Sequence, residues 1–132
     1  MAHIPDSHRD LADARTGVLA TVGPDGRPQL TAVWFLIEGD TVRLSLNTTR
    51  QKARNLAANP AATLFVLDPS GTRYLEVRGD ASLEPDPDYE FADLVGAKYG
   101  GVDLRAMDAE GESRVVVDLM PARVNAVDMD AR

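Results

Sequence analysis

The sequence predicts a mainly β protein: a small antiparallel barrel of six to seven strands, with two to three helices covering its ends. Short apolar runs alternate with polar residues at a period of two, as in Val42, Leu44 and Leu46. The joints between them carry hairpin chemistry, built on Pro, Asp and Gly. No strand–helix–strand unit repeats, which disfavours a parallel sheet. At 132 residues the chain has length for one core, so a single domain spanning residues 1–132 is expected.

Residues 6–15 read as a short helix capped by Asp6 or Ser7. A strand over Gly17–Val22 follows, then the turn Pro24-Asp25-Gly26-Arg27, where Gly26 can take a positive φ. One long strand is expected from Pro28 to Ile37, turning at Gly39-Asp40 into Thr41–Leu46. Thr48 with Gln51 three residues on fits a capping box, and Asn59-Pro60 stops the helix that it opens. Ala53, Leu56 and Ala57 give that helix one apolar stripe. Strands over 61–67 and 72–83 come next, joined by Pro69-Ser70-Gly71. Asp86-Pro87 opens a second helix that ends at Gly100. Residues 101–112 carry no clear pattern, and two strands, 114–119 and 122–127, close the chain.

Composition excludes several functions. The formal net charge of -7 argues against broad nucleic-acid binding, which needs a basic face. No apolar run approaches the roughly 20 residues that span a bilayer, and the N-terminus lacks signal-peptide features, so a cytoplasmic protein is expected. The absence of cysteine removes disulfides, thiolate nucleophiles and Cys-type metal sites. His3 and His8 lie in what reads as a solvated terminal segment, and no metal site is expected. Asp25, Asp40, Asp68, Asp86 and Asp88 sit at turns and helix caps and read as solvating charge. No catalytic side chain is assigned. Any demanding chemistry would have to come from a cofactor.

One stretch stands against this acidic background. Asn47-Thr48-Thr49-Arg50-Gln51-Lys52-Ala53-Arg54-Asn55 puts three cations within five residues, at the start of a helix. The helix dipole favours acidic residues at that end, so cations there oppose helix stability. A bound phosphate would explain them, because helix N-termini present free amides to anions. A solvated face, with Arg50 and Arg54 pairing with surface carboxylates, explains them as well; residue types alone leave both open. Two runs, 32–37 and 61–67, are apolar on both faces, which predicts a homodimer whose interface takes in the outward sides of strands 30–37 and 61–67.

Five features in order bear on the choice: Gly17-Val18-Leu19-Ala20-Thr21, then Asp25-Gly26-Arg27-Pro28, then Val33-Trp34-Phe35, then Arg50-Gln51-Lys52-Ala53-Arg54-Asn55, then Tyr74-Leu75-Glu76-Val77-Arg78-Gly79. Together they resemble the pyridoxamine 5'-phosphate oxidase-like family of flavin and deazaflavin oxidoreductases, from about residue 11 to residue 84. The resemblance implies a split β-barrel of the FMN-binding type and a homodimer with cofactor clefts between the barrels. By resemblance Arg50 and Lys52 would bind the cofactor phosphate, with Thr48 and Thr49 beside it. Thr31, Ala32, Val33 and Trp34 would line the ring, Asn47 and Asn55 would contact its edge, and Tyr74 would approach from the second subunit. Small members of the family from high-GC genomes often resemble users of coenzyme F420, and the scarcity of lysine fits such a genome. Arg54, Arg73 and Arg78 could form a basic rim for its anionic tail. The expected function is an oxidoreductase in which reduced F420 passes a hydride to an unsaturated small molecule. The alternatives are an FMN-dependent enzyme of the same fold, or a non-catalytic flavin-, deazaflavin- or haem-binding protein.

Overall fold

A computed structural model of the chain describes residues 2–131. Eight strands form one antiparallel sheet: β1 (Gly17–Val22), β2 (Pro28–Val33), β3 (Leu36–Glu38), β4 (Thr41–Asn47), β5 (Ala61–Leu67), β6 (Arg73–Pro85), β7 (Arg114–Leu119) and β8 (Arg123–Asp128). Two α-helices, α1 (Gln51–Ala58) and α2 (Glu90–Lys98), and two 3₁₀ helices, Asp6–Asp13 and Leu104–Met107, complete the molecule.

The strand path runs β2-β1-β5-β6-β7-β4-β3, with β8 added to β6. Its two ends, β2 and β3, are separated only by Trp34 and Phe35, so the sheet curls back on itself as a split barrel. Inward residues alternate along the strands as the period of two requires: Val42, Leu44, Leu64, Val66, Leu75 and Val77 are all fully buried. Phe35 plugs the seam at 0% exposure. The long strand β6 changes partner halfway. Arg73–Arg78 pair with β8, and Ala81–Pro85 pair with β7. Gly79 stands at the crossover, where the Met120 carbonyl approaches so closely that any Cβ would collide with it.

Several expectations change. The run expected as one strand over 28–37 breaks at Trp34-Phe35, which turns seven strands into eight. Residues 6–13 wind as a 3₁₀ helix behind Pro5, and neither Asp6 nor Ser7 caps it. His8 is buried, not solvated: its Nδ1 pairs with the Ser7 hydroxyl and its Nε2 with the Val127 carbonyl. The second helix starts at Glu90 rather than 86–87, and the buried Asp86 carboxylate caps it by accepting from the amides of Phe91 and Ala92. The 101–112 segment folds against α2, where Phe91, Val95, Tyr99 and Leu104 make a second small core that also takes in Trp34 and Leu36. So α2 covers the 34–36 stretch that was expected to lie in a dimer interface. Leu30, 66% exposed, and Leu67, 49% exposed, remain uncovered. No helix among the described residues is long and apolar enough to cross a membrane.

Candidate functional site

A cleft of about 240 Å³ opens where β2, β4 and β7 meet α1, α2 and the Leu104–Met107 turn. Six of the residues expected at a binding site line it together: Ala32, Val33, Trp34, Asn47, Arg50 and Lys52. The others lining it are Ser45, Leu46, Val95, Leu104, Met107 and Arg114. One end is therefore cationic and the opposite wall is apolar. Among the described residues no carboxylate or histidine lines it.

The cationic end is built by the turn between β4 and α1. Thr48 is not the helix cap: its hydroxyl pairs with Ser113 across the turn, and Arg50 takes the cap position with no side-chain bond. No capping box forms, because Gln51 turns instead to Arg54 and Asn55. The amides of Gln51 and Lys52 consequently have no protein acceptor among the described residues, as a helix first turn leaves them. Arg50 and Lys52 have no ion-pair partner there either. Burial, and secondarily the Arg50 charge, hold the Lys52 ammonium below the usual lysine range. A dianion placed between them would relieve both penalties.

Thr31 sits one residue before the lining stretch of β2. Its hydroxyl is buried and has no hydrogen-bond partner among the described residues. A buried unpaired hydroxyl is costly, but Thr31 itself does not line the cleft. Thr49 is exposed at the turn, its N–H and O–H both donating to Asn47 Oδ1 at 2.9 and 2.7 Å.

Five expected site residues do not line the cleft: Thr31, Thr48 and Thr49 adjoin lining residues in sequence, while Asn55 and Tyr74 fall elsewhere. Asn55 is 3% exposed and points into the barrel side of α1, where its amide donates to Thr21 and Gln29 and accepts from Gln51. It anchors the helix and does not line the cleft. Tyr74 lies on β6 against Phe65, ring centroids 5.1 Å apart, also outside the cleft of its own chain. The expected basic rim is largely occupied. Arg73 is paired with Asp10 and Asp68, Arg78 with Glu76, and Arg54 donates to the Thr49 carbonyl and Gln51. No group of His, Asp or Glu side chains among the described residues could hold a metal ion.

Arg114 and Asp108 are the residues that sequence reasoning missed. Arg114 Nε and Nη2 each donate to the Asp108 carboxylate at 2.8 Å, with side-chain exposures of 8% and 3%. The hydrogen bonds from Arg114 are the main reason that the Asp108 carboxyl falls to about 2, with those from Tyr89 and Asn47 adding to it. Arg114 Nη1 reaches only Ser45, at 3.4 Å, so this edge of the guanidinium keeps donor capacity toward the cleft that both residues line. Nothing local marks either residue: Arg114 opens an ordinary apolar strand, and Asp108 lies in a polar loop.

Comparison with solved structures places this geometry among related molecules. The chain is 36% identical to a protein named F420 Reductase, over 92% of this chain and 98% of that one, with a TM-score of 0.80. It is 28% identical to the conserved hypothetical protein Rv2991 from Mycobacterium tuberculosis, over 98% and 89% of the two chains, with a TM-score of 0.76. HupZ from Group A Streptococcus, at 19% identity over 98% of both chains and a TM-score of 0.75, shares the fold. The family model described as pyridoxamine 5'-phosphate oxidase matches residues 4–128, nearly the whole barrel together with its cleft, and the chain belongs to that family.

Proposed function

We propose that this protein is an oxidoreductase that uses reduced coenzyme F420 to reduce an unsaturated small molecule. One observation carries the reading. In a chain of net charge -7, a cleft gathers Arg50 and Lys52 without ion-pair partners at the open N-terminus of α1, facing an apolar wall. That donor set fits a phosphate attached to a flat ring. Arg50, Lys52 and the first-turn amides would hold the phosphate, with Thr48 and Thr49 at its flank. Thr31 to Trp34 would lie along the ring, chiefly through Ala32, Val33 and Trp34, which line the cleft. The coenzyme supplies a hydride when bound. The chain contributes position and exclusion of water, which for hydride transfer carry much of the rate. Among the described residues no carboxyl or imidazole lines the cleft, and the accompanying proton is assigned to water.

The choice of F420 is supported by the 36% identity to the F420 Reductase over nearly the full length of both chains. The cleft volume of about 240 Å³ lies below the roughly 300–1,000 Å³ usual for small-molecule sites. A second copy of the chain is therefore part of the proposal: it would close the open side and bring its Tyr74 to the ring. Titration of the apoprotein with F420 and with FMN, followed by ring fluorescence, tests the reading. Tighter binding of F420, with turnover by that complex alone, is expected. Tighter FMN binding would promote the FMN-dependent alternative, and binding without turnover of any substrate would leave a cofactor carrier.

A further inference from the structure

The turn that carries Arg50 has little packing of its own, since Thr49 and Arg50 are both exposed. Ser113 bonds Thr48 and Arg54 bonds the Thr49 carbonyl, but the donors of Thr49 and Arg50 are held by one buried residue beneath them. Asn47, 6% exposed, accepts from the Thr49 N–H and O–H through Oδ1, while its backbone carbonyl accepts from the Arg50 amide at 3.1 Å. Its Nδ2 donates to Asp108 at 2.9 Å and to Glu112 at 3.1 Å. These partners permit only one orientation of the amide, because a backbone N–H can only donate and a carboxylate only accept.

Asp108 is itself fixed from three sides. Arg114 grips it with two bonds, Asn47 gives a third, and the Tyr89 hydroxyl donates a fourth at 2.7 Å. Tyr89 is the one non-glycine residue with positive φ, 59°, among the described residues. A left-handed conformation is costly for a tyrosine and persists where surrounding structure demands it. Here it allows the ring to reach Asp108. Met107, the neighbour of Asp108, lines the cleft, so the turn that walls one side also secures the opposite end.

We propose that Asp108 is a positioning residue for the anion site: acting through Asn47, it sets the Thr49–Arg50 backbone and hence the direction of Arg50 and the α1 amides. The inference rests on reading that turn as the phosphate end of the cofactor site. A purely structural Asp108 would only neutralise Arg114.

The test combines two readouts on Asp108→Asn and Tyr89→Phe. Amide hydrogen exchange in the free protein is followed by NMR at Thr49 and Arg50, with Leu44 and Leu75 as core references. Dissociation constants for F420 and FMN are measured alongside. In Asp108→Asn, exchange at Thr49 and Arg50 is expected to rise at least tenfold with the core amides unchanged, and the preferred cofactor to bind about tenfold more weakly. Tyr89→Phe, which removes one donor and no charge, should move both in the same direction by about threefold, and it carries the test if Asp108→Asn does not fold. Unchanged exchange and affinity in folded variants would overturn the proposal. Faster exchange at Thr49 in a protein whose wild type binds neither cofactor would uphold the positioning role and sink the cofactor reading.

Discussion

Trp34 lies flat against Tyr99, ring centroids 4.3 Å apart and planes 7° from parallel. The pair forms where the chain leaves β2 for β3 and the Phe35 backbone has no strand to bond. The end of α2 supplies what is missing: the Phe35 N–H donates to Tyr99 Oη at 3.1 Å, and Lys98 Nζ donates to the Phe35 carbonyl at 2.8 Å. Lys98 also donates to the Ala12 carbonyl at 2.9 Å, which ties the 3₁₀ helix Asp6–Asp13 to the same point. Burial holds its ammonium below the usual lysine range. Helix α2 thus fixes both the seam of the barrel and the orientation of the ring at the cleft.

Trp34 is the only tryptophan, so its emission reports on this arrangement. Cofactor binding is expected to quench it. Tyr99→Leu should shift the emission to the red and lower stability by about 1–3 kcal/mol, through the lost stack and the unpaired Phe35 amide. Emission spectra and urea unfolding check both. An unshifted spectrum would mean that the stack is absent in solution.

Arg50→Ala and Lys52→Ala are each expected to weaken cofactor binding at least tenfold while hardly changing the urea midpoint. A charge-assisted bond to phosphate contributes about 1.5–3 kcal/mol, whereas the exposed Arg50 and the half-buried Lys52, neither in an ion pair among the described residues, add little to folding. Arg54→Ala should matter less, since Arg54 is bonded to Thr49 and Gln51. Equal losses at all three positions would indicate a diffuse charged face.

Acid should loosen the Asp108 network in a defined window. The folded pKa is depressed from 3.8 to about 2, so the stabilisation is complete above pH 3.8 and is lost as pH falls toward 2. The shift corresponds to about 2 kcal/mol. Wild type and Asp108→Asn should differ in thermal stability at pH 5 to 7, and the gap should narrow steadily below pH 4. A gap that does not depend on pH would remove the carboxylate charge as its source.

A homodimer is expected, with Leu30 and the outward side of β5 at its interface. Leu30 is 66% and Leu67 49% exposed, and Thr63 and Phe65, on the same face of β5 as Leu67, are half-buried in the single chain. Light scattering at micromolar concentration should give twice the mass of 14.2 kDa. Leu30→Asp should yield monomers and weaken cofactor binding together, if the second copy completes the cleft.

Much of the barrel was legible in the sequence because its rules are local. The period of two marks β1, β4, β5 and β6 within a few residues of their bounds, and Gly26, Gly39 and Gly71 mark turns by the positive φ that each adopts. The cations at the head of α1 were legible for the same reason, since neighbours in sequence stay neighbours on a helix turn. The clustering of Arg50 and Lys52 with Ala32–Trp34 in one cleft needed more, and came from the resemblance, which implied that these residues share one cofactor site.

What only the tertiary structure decided depends on partners far apart in the chain. Asn47 and Asp108 are 61 residues apart, and Lys98 and Phe35 are 63 apart, so no local pattern announces either bond. Thr48 lost its expected capping role to a competing partner, Ser113, brought near by the pairing of β4 with β7. Asn55 had the right residue type for a cofactor contact, yet the α1 stripe that packs on the barrel turns it inward. Periodicity records which face of an element is buried. Which polar groups meet there is settled only when distant elements pack, because a buried donor must find its acceptor wherever the fold places one.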